Sequence, residues 1–182
     1  MPAPSRRRAL LLICAVAVAV ATNYTIQGPV LGFIRFEFAL SSADAGLIAT
    51  AFFAGAAITM LAGGAIADRI GPRGAVTLGF LLVTIGGLGA GLLAPSFPAL
   101  LGWRIVGGLG SGFGFAAGAA YTTSIFDERG RHLAQGLYGA SFLLGSGITL
   151  AYIPVLAGPS GDWRLAFTLS ALAVAGVWVA WT

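Results

Sequence analysis

This 182-residue sequence predicts an all-α membrane protein built as a bundle of six transmembrane helices. Three observations carry the prediction. The chain is 58% hydrophobic and only 9% charged, whereas a soluble globular domain has about 25% charged residues. Its apolar runs far exceed the roughly 18 residues that mark a membrane helix: Ala45 to Ala67 is 23 residues without a charge, and Gly74 to Trp103 is 30. Short Gly-, Pro- and charge-rich breaks divide these runs at helix-length intervals.

Taken in order, the first helix covers about 9–36 of a single domain spanning 1–182. Arg6-Arg7-Arg8 ahead of an apolar stretch invites a secretory-signal reading. The uncharged run Ala9 to Ile34 holds 26 residues, against roughly 7–15 in a signal core, so it reads as a retained helix. Gly28-Pro29 is its expected kink, because proline lacks the N–H of the helical ladder. Helix 2 (about 43–67) opens at Ser41-Ser42-Ala43-Asp44, a capped N-terminus. Helix 3 covers about 74–93, and Pro95-Ser96-Phe97-Pro98 turns the chain into helix 4 (about 98–125), with Pro98 suited to its first turn. The polar loop Asp127 to His132 precedes helix 5 (about 133–156), and Gly158 to Asp162 precedes helix 6 (about 164–182).

All ten basic residues are arginine and most lie in short turns. The net charge of +4 therefore reads as membrane orientation rather than nucleic-acid binding. Seven arginines fall on one side: three in the N-terminal tail, two after helix 2 and two after helix 4. Arg35 and Arg164 fall on the other, and the positive-inside rule places both termini in the cytoplasm. The single Cys14 excludes an internal disulfide, and no metal or cofactor site is expected. Helix 4 carries Gly108, Gly110, Gly112, Gly114 and Gly118, small residues that let helix backbones approach closely in lipid.

Four segments bear a resemblance. Gly64-Ala-Ile-Ala-Asp68-Arg69-Ile-Gly71-Pro72-Arg73 resembles the loop between the second and third helices of the major facilitator superfamily of secondary transporters. Arg104-Ile-Val-Gly107-Gly108-Leu-Gly110 is similar to that family's helix 4 pattern. Asp127-Glu128-Arg129-Gly130-Arg131 looks like its turn before helix 5, and Asp162-Trp163-Arg164 like its entry to helix 6. The resemblance implies one six-helix half of such a transporter, with a 3+3 inverted repeat. It also implies a conformational latch made by Gly64, Asp68, Arg69, Gly71 and Arg73, with Arg129 and Arg131 nearby. One departure is visible in helix 5. The Gly-Pro pair that family antiporters often carry is absent, and Pro154 has no glycine before it, which argues against the drug/proton antiporter branch.

Arg104 is the clearest internal charge, six residues into the expected helix 4. A central arginine costs roughly 2.5–3.5 kcal/mol on insertion scales, so it should face protein or water. Asn23 and Gln27 lie one helical turn apart in helix 1. In the family that this chain resembles, helices 1 and 4 line the central cavity, and the resemblance therefore implies a substrate cavity lined by Asn23, Tyr24, Gln27 and Arg104. The plainer reading is that Arg104 snorkels outward or pins helix carbonyls. Tyr138, Ser141, Gly145, Thr149 and Tyr152 make a second stripe on helix 5, a cavity wall or a packing face. All six carboxylates lie in or near loops, so a small anionic or zwitterionic solute fits this chain better than proton transfer through a carboxylate.

The last helix ends at Val179-Ala-Trp-Thr182 without a basic tail. This suggests either a piece of a longer transporter, with the second six-helix half elsewhere, or a half-size chain acting as a parallel homodimer. Moving a solute by alternating access needs that second half. An intramembrane serine protease is excluded because His132, the one histidine, lies in a loop far from Ser111 and Ser146; no enzymatic activity is expected. A pore-loop channel lacks a long enough loop. The serious rival is a truncated or scaffold membrane domain that transports nothing.

Overall fold

A computed structural model describes residues 6–158 and 161–182, all of its regular structure being helical. Pro159 and Ser160 of the expected last turn lie outside the described residues. The first expected helix is two segments, α1 (Arg6–Thr25) and α2 (Gln27–Glu37), separated by a turn at Ile26. The break falls three residues before Pro29, which has no N–H to return to the carbonyl of residue 25.

The second and third expected helices form one element, α3 (Ser42–Leu92), folded back at Gly71. Gly71 has φ 78° and ψ 154°, a conformation open chiefly to glycine. Helix continues through Asp68 to Ile70 on one side, and Pro72 opens the second arm on the other. The expected six-residue loop is thus a single-residue turn. At its start, Ser41 Oγ accepts from the Asp44 N–H (3.1 Å) while Asp44 Oδ2 accepts from the Ser41 N–H (3.2 Å), a capping box.

Next come α4 (Phe97–Ile125), α5 (Glu128–Ala157) and α6 (Trp163–Trp181). α5 begins five residues before the expected Leu133, because Asp127 Oδ1 accepts the Gly130 N–H at 3.0 Å and winds the charged segment into its first turn. The N–H of Gly130 and the Arg6 guanidinium hold the Asp127 carboxyl below the usual carboxylate range.

Glycines place α4 between the two arms of α3. A Cβ on Gly108 or Gly112 would strike the backbone of the first arm at Phe52 and Ala56. On the other side, a Cβ on Gly110 would strike the second arm at Gly79 and Val83, and Gly86 abuts Gly107. Thr59 Oγ1 donates across the first seam to the Leu109 carbonyl (2.9 Å). α5 packs on α1, Gly145 meeting Val18 and Thr149 Oγ1 donating to Thr22 Oγ1 (3.2 Å). α6 packs on the second arm through Gly87 against Ala171 and Gly91 against Thr168.

Two apolar clusters stack along the bundle. One contains Val16, Val20, Val76, Phe80 and Tyr121, and the other Val30, Ile34, Ile48, Leu100 and Phe167. Between them, level with the Ile26 break, lie the buried polar residues Thr22, Asn23, Arg104, Thr149 and Ser170. Outward faces are apolar, with Leu61 88% and Leu143 72% exposed. Among the described residues four helical stretches are long and apolar enough to cross a membrane: Arg6–Glu37, Ser42–Leu92, Glu128–Ala157 and Trp163–Trp181.

The end of the bundle away from Gly71 is riveted by a group not anticipated from sequence. Glu37 Oε2 accepts from Trp163 Nε1 and from Arg164 Nη1, each at 2.6 Å, and Arg164 Nη2 donates to the Ala94 carbonyl (3.0 Å). α2, the α3–α4 connection and α6 meet there. Glu37→Ala orphans a tryptophan N–H on a side chain that is 1% exposed. It should lower stability by about 1–3 kcal/mol, the cost of an unsatisfied buried donor. Thermal unfolding in detergent reads this, and Arg6→Ala, which breaks the exposed Arg6–Asp127 pair, should leave the transition in place.

Candidate functional site

The Ile26 break produces the site. α1 ends at Thr25 and α2 resumes at Gln27, so the two helices are interrupted only at Ile26, whose own backbone stays helical (φ −54°, ψ −34°). Ile26 N–H takes the Thr22 carbonyl (2.9 Å). Arg104, on the middle helix, supplies the Asn23 carbonyl: its Nη2 donates there at 3.2 Å and to Gln27 Oε1 at 2.7 Å. One guanidinium nitrogen thereby bridges both sides of the break.

Arg104 is 2% exposed and has no carboxylate partner among the described residues. Its charge is met instead by aromatic faces, Phe52 at 4.3 Å and Phe167 at 5.5 Å. Such contacts are each worth roughly 0.5–2 kcal/mol. Its Nε is buried and has no hydrogen-bond partner among the described residues. Tyr24 lies near, edge-on to Phe52 (4.9 Å) and Phe142 (5.3 Å), and its hydroxyl too is buried without a partner among the described residues. The Asn23 amide oxygen faces Gly107, where a Cβ would sit 3.6 Å away.

Asn23, Gln27 and Arg104 are therefore in direct contact as a group, and Tyr24 joins them through Phe52. Neither Phe52 nor Phe167 was singled out from sequence. A phenylalanine in an apolar helix carries no signal until the fold turns its ring toward a charge. On α5, the stripe is engaged in packing. Tyr138 Oη donates to the Phe115 carbonyl (3.0 Å), Thr149 to Thr22, and Tyr152 shares a 2.9 Å hydrogen bond with Ser170.

The residues of the expected latch lie at the opposite end. Arg73 Nη2 donates to the carbonyls of Trp181 (3.2 Å) and Thr182 (3.4 Å), capping α6, and Trp181 Nε1 donates to Thr77 Oγ1 (3.2 Å). Asp68, Arg69 and Arg129 are exposed and make no hydrogen bond or ion pair among the described residues. Gly64 is exposed and Gly71 forms the turn. Arg131 is half-buried, with its Nε unpartnered among the described residues. Of these residues, Arg73 makes its hydrogen bonds within this chain.

Apolar outer faces, small-residue seams and a polar layer sealed between apolar clusters define an integral membrane protein. The chain belongs to the Major Facilitator Superfamily, whose sequence profile matches residues 13–182. It is 30% identical over 141 residues to a probable 4-methylmuconolactone transporter of Cupriavidus pinatubonensis, covering 74% of this chain and 32% of that protein. It is 28% identical over 173 residues to a probable sulfoacetate transporter, SauU, of Cupriavidus necator, covering 95% and 38%. In fold it matches the proton:xylose symporter XylE (TM-score 0.86, 16% identity, 96% of this chain and 44% of that one). It equally matches a bacterial homolog of the human lysosomal transporter Spinster (TM-score 0.86, 22% identity, 97% and 43%). The chain thus spans about a third of the curated relatives and under half of the solved structures.

Proposed function

We propose that this chain supplies one six-helix half of a secondary transporter that moves a small anionic or zwitterionic solute by alternating access. The observation that carries the reading is Arg104, a buried cation held by carbonyl, amide and aromatic groups, with no carboxylate partner and a spare donor among the described residues. An oxyanion arriving at that guanidinium would supply the charge its present partners lack. Asn23, Tyr24 and Gln27 would line the same site. The relative named for sulfoacetate, an anion, supports this solute class.

The arrangement of the helix ends supports the remaining parts of the reading. The start of α1, the Gly71 turn, the α4–α5 connection and the end of α6 share one end of the bundle. The end of α2, the α3–α4 connection and the start of α6 share the other. This alternation supports six spans with a 3+3 repeat. With seven arginines at the first end, it supports both termini in the cytoplasm, in a bacterial inner membrane. The second half comes from further chain or from a parallel second copy. Exposed Asp68, beside a second half's α5 start near Arg129 and Arg131, would complete the latch.

A second reading has its own observation. Arg104 already bridges the Ile26 break and could act as a pin for α1, α2 and α4, with no solute role. Uptake into proteoliposomes of a panel of small carboxylates and sulfonates, parent against Arg104→Ala, tests the first reading. Arg104-dependent uptake of at least one anion is expected, and equal uptake by both proteins removes Arg104 from the site.

A further inference from the structure

Two donors at the site, Arg104 Nε and Tyr24 Oη, have no acceptor among the described residues, and orphans of this kind are few in native interiors. The side chain against both residues is Phe52. Its ring lies 4.3 Å from the Arg104 guanidinium carbon and 4.9 Å from the Tyr24 ring, the latter at 82°. Phe52 is fully buried. Its backbone packs closely against α4, where a Cβ on Gly108 would strike the Phe52 carbonyl. The ring therefore stands as a fixed partition between the cation and the phenol.

We propose that Phe52 is the specificity-determining residue of the Arg104 site, and that its ring limits the size of the solute whose oxyanion group Arg104 receives. The proposal rests on the anion reading above. A compact oxyanion reaches Arg104 beside the ring; a solute with a bulky body must occupy the volume that the ring already fills. Removing the ring leaves an apolar, ring-sized space next to a cation, and dry apolar cavities of that size accept aromatic guests.

Binding of isotope-labelled methanesulfonate and benzenesulfonate to the purified protein in detergent tests this. The parent should prefer methanesulfonate. Phe52→Ala should move the ratio toward benzenesulfonate by at least about tenfold, within the range one hydrophobic-pocket change confers. Phe52→Leu, which keeps most of the packing, should move it less and in the same direction; it carries the test if the alanine variant does not fold. Phe53→Ala should move the ratio less than Phe52→Ala, since that ring is 49% exposed and packs on Phe52 (5.5 Å) and Tyr24 (5.8 Å) from the outer side. An unchanged ratio in folded Phe52 variants, or an equal shift in Phe53→Ala, overturns the proposal. Methanesulfonate binding that survives Arg104→Gln in full overturns the anion reading and this proposal with it. Binding that needs Arg104 but ignores Phe52 overturns the size limit alone.

Discussion

Arg104→Met should lower uptake of a small anion at least about tenfold while leaving the melting temperature within a few degrees of the parent. Uptake falls because the variant has no charge to offer, and a hydrogen bond to a charged group is worth roughly 1.5–3 kcal/mol, or about 10- to 150-fold. Stability holds because opposing effects nearly cancel. The variant loses the Nη2 bonds to the Asn23 carbonyl and Gln27 and two cation–π contacts. It also escapes burying a guanidinium without a counter-ion, a penalty of several kcal/mol. Methionine is flexible enough to fill the space between Phe52 and Phe167. Arg104→Ala is the harsher change, since it adds a cavity to the lost charge. If Arg104 is only a pin, methionine should lower the melting temperature and uptake together. Proteoliposome uptake and thermal unfolding on the same preparation separate the two outcomes.

Gly110→Val should destabilise the bundle by about 3 kcal/mol or more and abolish uptake through loss of fold. A Cβ at this position would stand 2.7 Å from the Gly79 carbonyl oxygen and 2.8 Å from the Leu82 Cβ. The nearest of these is backbone, so no side chain can rotate aside and the second arm of α3 must move. Overpacking typically costs about 1–3 kcal/mol and exceeds this where backbone is displaced. Gly139→Ala is the matching control. Nothing lies within 4 Å of its added Cβ, so it should be neutral or stabilising by about 0.5–1 kcal/mol, the helix-propensity difference. Thermal unfolding of the two variants in one detergent makes the comparison; similar losses in both would mean that α4 is not held by close backbone contact.

Much of this arrangement is local in origin and was legible. Apolar run lengths placed the helices, because a span of given length needs a given number of apolar residues whatever surrounds it. Gly71-Pro72 located the fold-back of α3, though not its tightness. Arg104 was legible as a lone charge in an apolar helix, and Asn23 and Gln27 by their spacing. The Gly28-Pro29 signal was right in kind, with the break itself at Ile26. A missing N–H at Pro29 weakens the turn before it rather than the residue itself. α5 begins before its expected start because Asp127 to Arg131, as polar as a loop, is wound into the first turn by the Asp127 cap.

Glu37 shows where sequence ran out. It was one more loop carboxylate until α6 brought Trp163 and Arg164 to it across 126 and 127 residues. The partners of Arg104 divide in the same way. What the sequence determined by itself was a membrane chain of the superfamily, its helices, its turn and its one deep cation, because hydrophobic length, proline, glycine and charge act over a few residues. The tertiary structure alone decided that the cation sits on Phe52 and bridges a helix break. It also decided that Arg73 caps α6 and Glu37 rivets the far end. Those contacts join residues on different helices, and helix packing, not chain spacing, sets the distances between them.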